Sequence, residues 1–376
     1  MKILFWTGYN SPLYDGDTQT GLGGTEVGII NVSKGLAAYG HKVTVSGQVK
    51  NSGMVDNVEW IDIDSFMAKY STKENYFDIV IGVNYIHFLK YMYIANQNDS
   101  KKLFWVHNTD YYKWFEGVEL SGEECDVLLD NVDVVITPSH WALEDSQKWY
   151  ASEERPRKAI GAAIQNGINT EVFTNANVKK DPNKFIWSSA TDRGLSTLLK
   201  NWPRIKSVMP NATLDVYYPE YSNPHIPERD SWYNIEGVAD LLEELKDLGV
   251  SDMGSVAQDK LHYAMLKATY WMYLTDYEET FCITALEMMA AGVLPICSNK
   301  AALGGLVTDG IVIEYQDIET MYDIAIQTLG MLNIELKEKA VAAAKEKSKK
   351  YTWRNVSHSW HNLATSIHRP LAEVTL

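Results

Sequence analysis

Twice along this chain, short apolar runs alternate with segments of helical period, and the second series starts afresh after a polar stretch. That repetition narrows the fold more than any other feature. Residues 2–6, KILFW, predict a buried strand, after which a loop rich in Gly, Asp and Thr runs to GLGGTE and a helix begins near Thr25. Gly28, Val32, Gly35 and Tyr39 share one face of that helix, and VTVSG at 43–47 returns as a second strand, completing a βαβ unit. Apolar runs at 78–83, 102–106 and 132–137 continue the alternation, predicting a parallel sheet with helices on both faces. IQNGIN at 164–169 carries an Asn-Gly turn, and the polar TNANVKKDPN that follows reads as a linker. Beyond it, strands are expected at 184–188, 212–217, 270–274, 293–297 and 311–314. Helices are expected near 195–208, 232–247, 257–268, 282–291 and 317–349. The expectation is an α/β chain of two doubly wound domains, 1–167 and 168–352, since 376 residues exceed one ordinary core. In the tail, Trp353, Val356, Trp360 and Leu363 recur at helical spacing and predict a helix docked on a preformed surface.

Charge and cysteine usage bound the function classes. A net charge of −15 argues against general affinity for nucleic acid or anionic membrane, so the expected partners are small or neutral. Cys125, Cys282 and Cys297 are odd in number and lack CxxC spacing, which fits packing roles in a reducing compartment. MKILFWTGYN lacks the apolar stretch of a signal peptide, and no apolar run is long enough to span a membrane, so a cytoplasmic protein is expected. YIHFLKYMYI at 85–94 leaves peripheral membrane contact open, although its length favours a core or cleft helix.

Chemistry concentrates in residues 276–305, where Glu279 and Glu287 stand eight apart and Glu287 is the one charge between Thr280 and Asn299. A lone carboxylate in an apolar run is costly to bury without a partner, so either it turns outward or it binds something. Thr280 can cap a helix from about Phe281 to Ala291, with Gly292 as its stop, leaving the first amides, near Phe281 and Cys282, free for an anion. Eight residues of helix cover roughly 12 Å. One carboxylate ahead of an anion-binding helix end and another along its flank suit a ligand with hydroxyls at both ends and phosphate between them, the layout of a nucleotide-sugar. A core helix with one tolerated Glu is the plain alternative.

Other candidates fall at strand ends. His107 follows the strand KLFWV and precedes an aromatic run, Tyr111, Tyr112, Trp114 and Phe115, which could stack a sugar. Arg193 stands just before the expected helix start at Gly194, where a guanidinium can clamp phosphate. G21-L-G23-G24-T-E26 departs from the dinucleotide fingerprint, because Glu26 occupies its third glycine and no acidic residue ends VTVSG. Asp62 and Asp64 form a DxD pair in the wrong half of the chain for the rest of this pattern, and His358 and His361 on the tail read as helix surface.

Taken together, GGTE at 23–26, His107 after a strand, NGIN at 166–169, DRGLSTLL at 192–199 and Glu279 with Glu287 in ETFCITALEMMAAGVLP resemble the retaining GT-B glycosyltransferases of family four, in the right order over nearly the whole chain. The resemblance implies two Rossmann-like domains facing a central cleft, with the acceptor bound by 1–167, the donor by 168–352, and the helix of 353–376 rejoining the first domain. It implies a retaining hexosyl transfer from a nucleotide-diphosphate sugar, UDP or GDP type unresolved, to a saccharide acceptor, with no cofactor and no metal. Glu279 would contact donor-sugar hydroxyls, Glu287 the ribose and Arg193 the diphosphate, while His107 would line the reacting sugar. Thr280, Phe281, Cys282, Gly23 and Gly24 would approach the donor; Tyr111, Tyr112 and Trp114 the acceptor. Two departures stand out: Ser188 and Ser189 replace the family's first basic residue, leaving Lys200 or Lys300 to assist Arg193, and Thr280-Phe281-Cys282 replaces Gly-Phe-Gly. A sugar-nucleotide epimerase or phosphorylase of the same fold, or a non-catalytic saccharide-binding protein, stays open at this point.

Overall fold

A computed structural model describes residues 1–9, 13–18, 22–70, 75–108, 114–115, 118–119, 128–150, 160–174, 177–217 and 237–368. These form two compact units: one built from the described residues up to Gly167 together with the tail from Trp353, the other spanning Ile168–Thr352. Among the described residues no helix is long and apolar enough to cross a membrane.

The first unit is an eight-stranded sheet in the order β10-β9-β6-β5-β1-β2-β4-β3. In chain order its elements are β1 (Lys2–Gly8), α1 (Gly24–Ala38), β2 (Lys42–Gly47), β3 (Gly53–Val55), β4 (Val58–Asp62), α2 (Ile63–Tyr70), β5 (Ile79–Val83) and α3 (Phe88–Ile94). They continue with β6 (Lys101–Trp105), the short antiparallel pair β7 (Trp114–Phe115) and β8 (Val118–Glu119), β9 (Val134–Thr137), α4 (His140–Tyr150) and β10 (Ile160–Ala163). All strand pairs of the large sheet are parallel except β3 with β4. β1 reads as a continuous apolar run because both faces are covered: Ile3 and Phe5 enter one core cluster, Leu4 and Trp6 the other. Asp62 of the DxD pair is accounted for locally, since its Oδ1 accepts the Ser65 N–H at 2.9 Å and caps α2.

The second unit holds a six-stranded, wholly parallel sheet, β13-β12-β11-β14-β15-β16. Its elements are α5 (Glu171–Thr174), β11 (Lys184–Trp187), α6 (Leu195–Val208), β12 (Thr213–Tyr217), α7 (Val238–Glu244), β13 (Val250–Gly254), α8 (Gln258–Lys267), β14 (Tyr270–Tyr273), α9 (Ile283–Ala290), β15 (Leu294–Ser298), α10 (Ala302–Leu306), β16 (Ile311–Ile313), α11 (Ile318–Gly330) and α12 (Ile334–Ser348). The single helix expected over 317–349 is two. Its break coincides with Asn333, whose side chain accepts the Glu335 N–H at 2.7 Å and starts α12. β13 escapes a reading by hydrophobicity because it is an edge strand whose one buried residue is Val250.

The tail forms α13 (Trp353–His368), which packs on α1 in the first unit. Trp360 is buried against Phe5 and Trp105, with ring centroids 6.3 and 4.8 Å apart. The helices meet at Gly35, where an added Cβ would lie 1.9 Å from Ser357 Oγ. His361 and His358 are not plain helix surface, because the same approach brings them to the α1–β2 corner. His361 Nδ1 lies 2.9 Å from His41 Nε2 and its ring stacks on Tyr39, whose hydroxyl lies 3.1 Å from His358 Nδ1.

Candidate functional site

In the second unit, strand order reverses between β11 and β14: β12 and β13 run outward on one side, β15 and β16 on the other. In an open parallel sheet the carboxyl ends of the two strands flanking such a reversal diverge into a crevice. The loops leaving β11 and β14 are the ones that carry Arg193 and Glu279.

After β11 the chain makes one 3₁₀ turn, Thr191–Arg193, and enters α6 through Gly194 at φ +108°. Two constraints meet there, since φ is left-handed and an added Cβ would lie 3.3 Å from the Leu274 carbonyl oxygen, just beyond β14. The close approach lays Arg193 over the neighbouring loop. Its guanidinium carbon sits 3.2 Å from the centroid of the Tyr277 ring, Nη1 lies 3.0 Å from Asp192 Oδ2, and Nε lies 4.0 Å from Glu279 Oε1. Tyr273, the last residue of β14, donates its hydroxyl to Glu279 Oε1 at 2.5 Å.

These contacts set the electrostatics. Burial works against the charged Arg193, yet Tyr277, Asp192 and Glu279 outweigh it and hold its pKa above the ordinary value. The Glu279 pKa also rises, which for a carboxylate disfavours the charge: burial raises it, and neither Arg193 nor the Tyr273 hydroxyl fully offsets this. One guanidinium thus faces two carboxylates. Lys300, one of the two lysines that could supply a second cation, donates to the Asp276 carbonyl, in the loop that carries Glu279, and to the Tyr315 hydroxyl. Lys200 lies on the exposed side of α6.

α9 begins later than its sequence suggests. Its N-cap is Cys282 at φ +72°, not Thr280, because the backbone turns through the left-handed region there before the helix starts. That is the conformation for which glycine is ordinarily used, and the Cys282 thiol faces the Ala285 N–H of the first turn, a weak acceptor in place of an oxygen cap. Burial and the neighbouring Glu279 push the Cys282 thiol well up, which disfavours the thiolate. Phe281 is buried beside Tyr351 and leaves its backbone, not its ring, for a ligand. The helix closes as expected at Gly292: its N–H bonds the Met289 carbonyl and that of Val293 bonds Met288, a Schellman turn. On α9's flank, Glu287 Oε1 lies 3.4 Å from His262 Nε2 of α8.

In the first unit, His107 follows β6 and is buried against Trp105, its backbone N–H bonded to Asn84 Oδ1 at 2.8 Å. Burial pulls the imidazole down to about 3, so it is neutral. Gly23 is the N-cap of α1 and Gly24 its first residue; the Gly23 N–H bonds Glu26 Oε2 at 2.9 Å, closing the helix start. Trp114 lies in β7, its backbone paired with Glu119, while Tyr111 and Tyr112 lie outside the described residues. Among the described residues no group of three or more His, Cys, Asp or Glu could hold a metal ion.

Sequence reasoning missed Tyr273, Tyr277, Asp192 and His262. The first two carried a signal, an aromatic at the carboxyl end of a strand and another in the loop just beyond it. His262 carried none, because its partner is 25 residues away on another helix.

No family model matches the chain. Over 248 residues it is 25% identical to a lipopolysaccharide 1,2-N-acetylglucosaminetransferase of Salmonella typhimurium, covering 61% of this chain and 61% of that protein. The chain thus spans about three fifths of the length of that relative. Among solved structures it is similar to a sucrose-phosphate synthase from Thermosynechococcus elongatus, with TM-score 0.74 at 16% identity over 97% of this chain and 98% of that one. It is similar also to HepE from Anabaena in complex with UDP and glucose, with TM-score 0.68 at 14% identity over 97% and 100%. The fold is GT-B. A trehalose-6-phosphate phosphatase N-terminal domain from Candida albicans shares it, with TM-score 0.72 at 13% identity over 98% and 97%, so activity has to be argued from the site.

Proposed function

We propose that this chain is a retaining glycosyltransferase of family four, transferring a hexose or related sugar from a nucleotide-diphosphate sugar to a saccharide-type acceptor. The observation that carries the reading is the meeting of Arg193 and Glu279, delivered by separate loops to the strand-order reversal between β11 and β14. A phosphate between the Arg193 guanidinium and the first amides of α9 would have its developing charge met as the bond to the sugar breaks. Glu279, steadied by Tyr273, would accept from donor-sugar hydroxyls, and Glu287 from the ribose. The departing phosphate oxygen can take the acceptor proton, so front-face transfer with retention requires no side-chain base and assigns no step to a metal. The similarity to an N-acetylglucosaminetransferase and to a fold seen with UDP and glucose supports the donor class. His107, neutral and buried, is suited to hydrogen bonding rather than to carrying charge.

The test is a thermal-shift panel of uridine, guanosine and adenosine diphosphates with their sugars, followed by transfer assays and NMR of the product anomer. One nucleotide-sugar is expected to raise the melting temperature, and the product to keep the donor's anomeric configuration with or without EDTA. An inverted product would overturn retention; loss of transfer in EDTA would overturn the metal-free step. Full activity in Arg193→Ala and Glu279→Gln would overturn the site.

A further inference from the structure

Glu287 is the one charged residue of α9, whose Ala285, Leu286, Met288, Met289 and Ala290 are all buried. Its side chain is 17% exposed, and among the described residues its hydrogen-bond partner is His262, itself 14% exposed. Packing holds the imidazole: the Phe173 ring of α5, 2% exposed, meets it edge-on at 5.1 Å and 71°. His262 Nε2 addresses Oε1 and leaves Oε2 without a partner among the described residues. A carboxylate anchored through one oxygen by a fixed ring has its plane set, and a carboxylate of set plane can accept from a diol with little ordering cost. Offsetting the burial of a charge would need only some cation nearby, whereas a ring wedged by Phe173 also dictates direction.

We infer that His262 is a positioning residue for nucleotide recognition, orienting Glu287 so that its outer oxygen receives the ribose hydroxyls of the donor. This rests on the proposed reading that Glu287 binds ribose, and it adds a residue outside the motifs that suggested that reading. Because the effect passes through the diol, it should vanish for a nucleotide that lacks one.

Titration calorimetry on the full chain separates the two claims. UDP, GDP and ADP are each compared with their 2′,3′-dideoxy counterparts, and the tightest pair is carried into the variants. His262→Phe, which keeps an aromatic ring against Phe173, is expected to weaken the ribonucleotide about tenfold, as for loss of one hydrogen bond to a charged group. The dideoxy nucleotide should change less than about twofold, and His262→Phe/Glu287→Gln should bind no worse than Glu287→Gln alone. Equal weakening of both nucleotides, or no weakening of either, would overturn the positioning role while leaving Glu287 in place. If Glu287→Gln leaves ribonucleotide affinity unchanged, the ribose assignment itself falls, and the inference with it. Should the phenylalanine variant not fold, His262→Gln, which can still donate to Glu287, and His262→Leu, which cannot, make the same comparison. The glutamine is then expected to bind the ribonucleotide like the native chain and the leucine about tenfold more weakly; equal affinities would refute the inference.

Discussion

Substituting Gly35 by alanine places one methyl group where α1 meets α13 in the first unit. That carbon would lie 1.9 Å from Ser357 Oγ and 2.4 Å from Ser357 Cβ. The hydroxyl could rotate away, but Cβ is fixed by the backbone of α13, so the helices have to part by about 1 Å to restore ordinary carbon contacts of about 3.5 Å. Overpacking of this kind costs about 1–3 kcal/mol, while the better helix propensity of alanine returns about 1 kcal/mol. A double-mutant cycle with Ser357→Gly isolates the clash, because the propensity gain of the alanine enters both legs and cancels while the glycine removes the obstructing atoms. A coupling of about 2 kcal/mol is expected, the double variant regaining most of what Gly35→Ala loses. Urea unfolding followed by tryptophan fluorescence reads it, since Trp360 lies on α13 and packs on Trp105. Additivity within about 0.5 kcal/mol would refute the close docking of the tail on α1.

Three further outcomes concern residues in each unit. Tyr277→Ala removes the ring beneath Arg193; a desolvated cation–π contact is worth about 2 kcal/mol, so nucleoside-diphosphate affinity measured by calorimetry should fall up to about thirtyfold. Glu279→Gln should abolish transfer yet raise the melting temperature at pH 8 and not at pH 4. Burial holds the folded-state pKa of Glu279 above its ordinary value, so what this carboxyl contributes to stability is present in acid and lost as pH rises through the raised value. His107 behaves oppositely: with its pKa pulled from 6.5 to about 3, folding resists its protonation, and its contribution is full above 6.5 and lost as pH falls towards 3. Between pH 7 and pH 5 the native chain should lose about 2 kcal/mol relative to His107→Gln in urea unfolding, at about 1.4 kcal/mol per pH unit once below 6.5.

What the sequence determined by itself was local. Strand and helix order follow from apolar runs and helical spacing within windows of a dozen residues, and the eight-residue interval from Glu279 to Glu287 is legible because one loop and one helix contain both. The Gly292 stop is local in the same sense. The start of α9 was not, because Cys282 adopts a left-handed φ that its residue type disfavours and the surrounding fold imposes. Partnership belonged to the tertiary structure. Arg193 and Tyr277 are 84 residues apart and meet because β11 and β14 are neighbours at the reversal of strand order. His262 reaches Glu287 because α8 and α9 flank the same strand, and His361 meets His41 across 320 residues because Gly35 lets α13 approach α1. Residue type and spacing name the groups capable of chemistry. Which of them share a hydrogen bond, and so which carry a shifted charge, depends on long-range packing that no local pattern encodes.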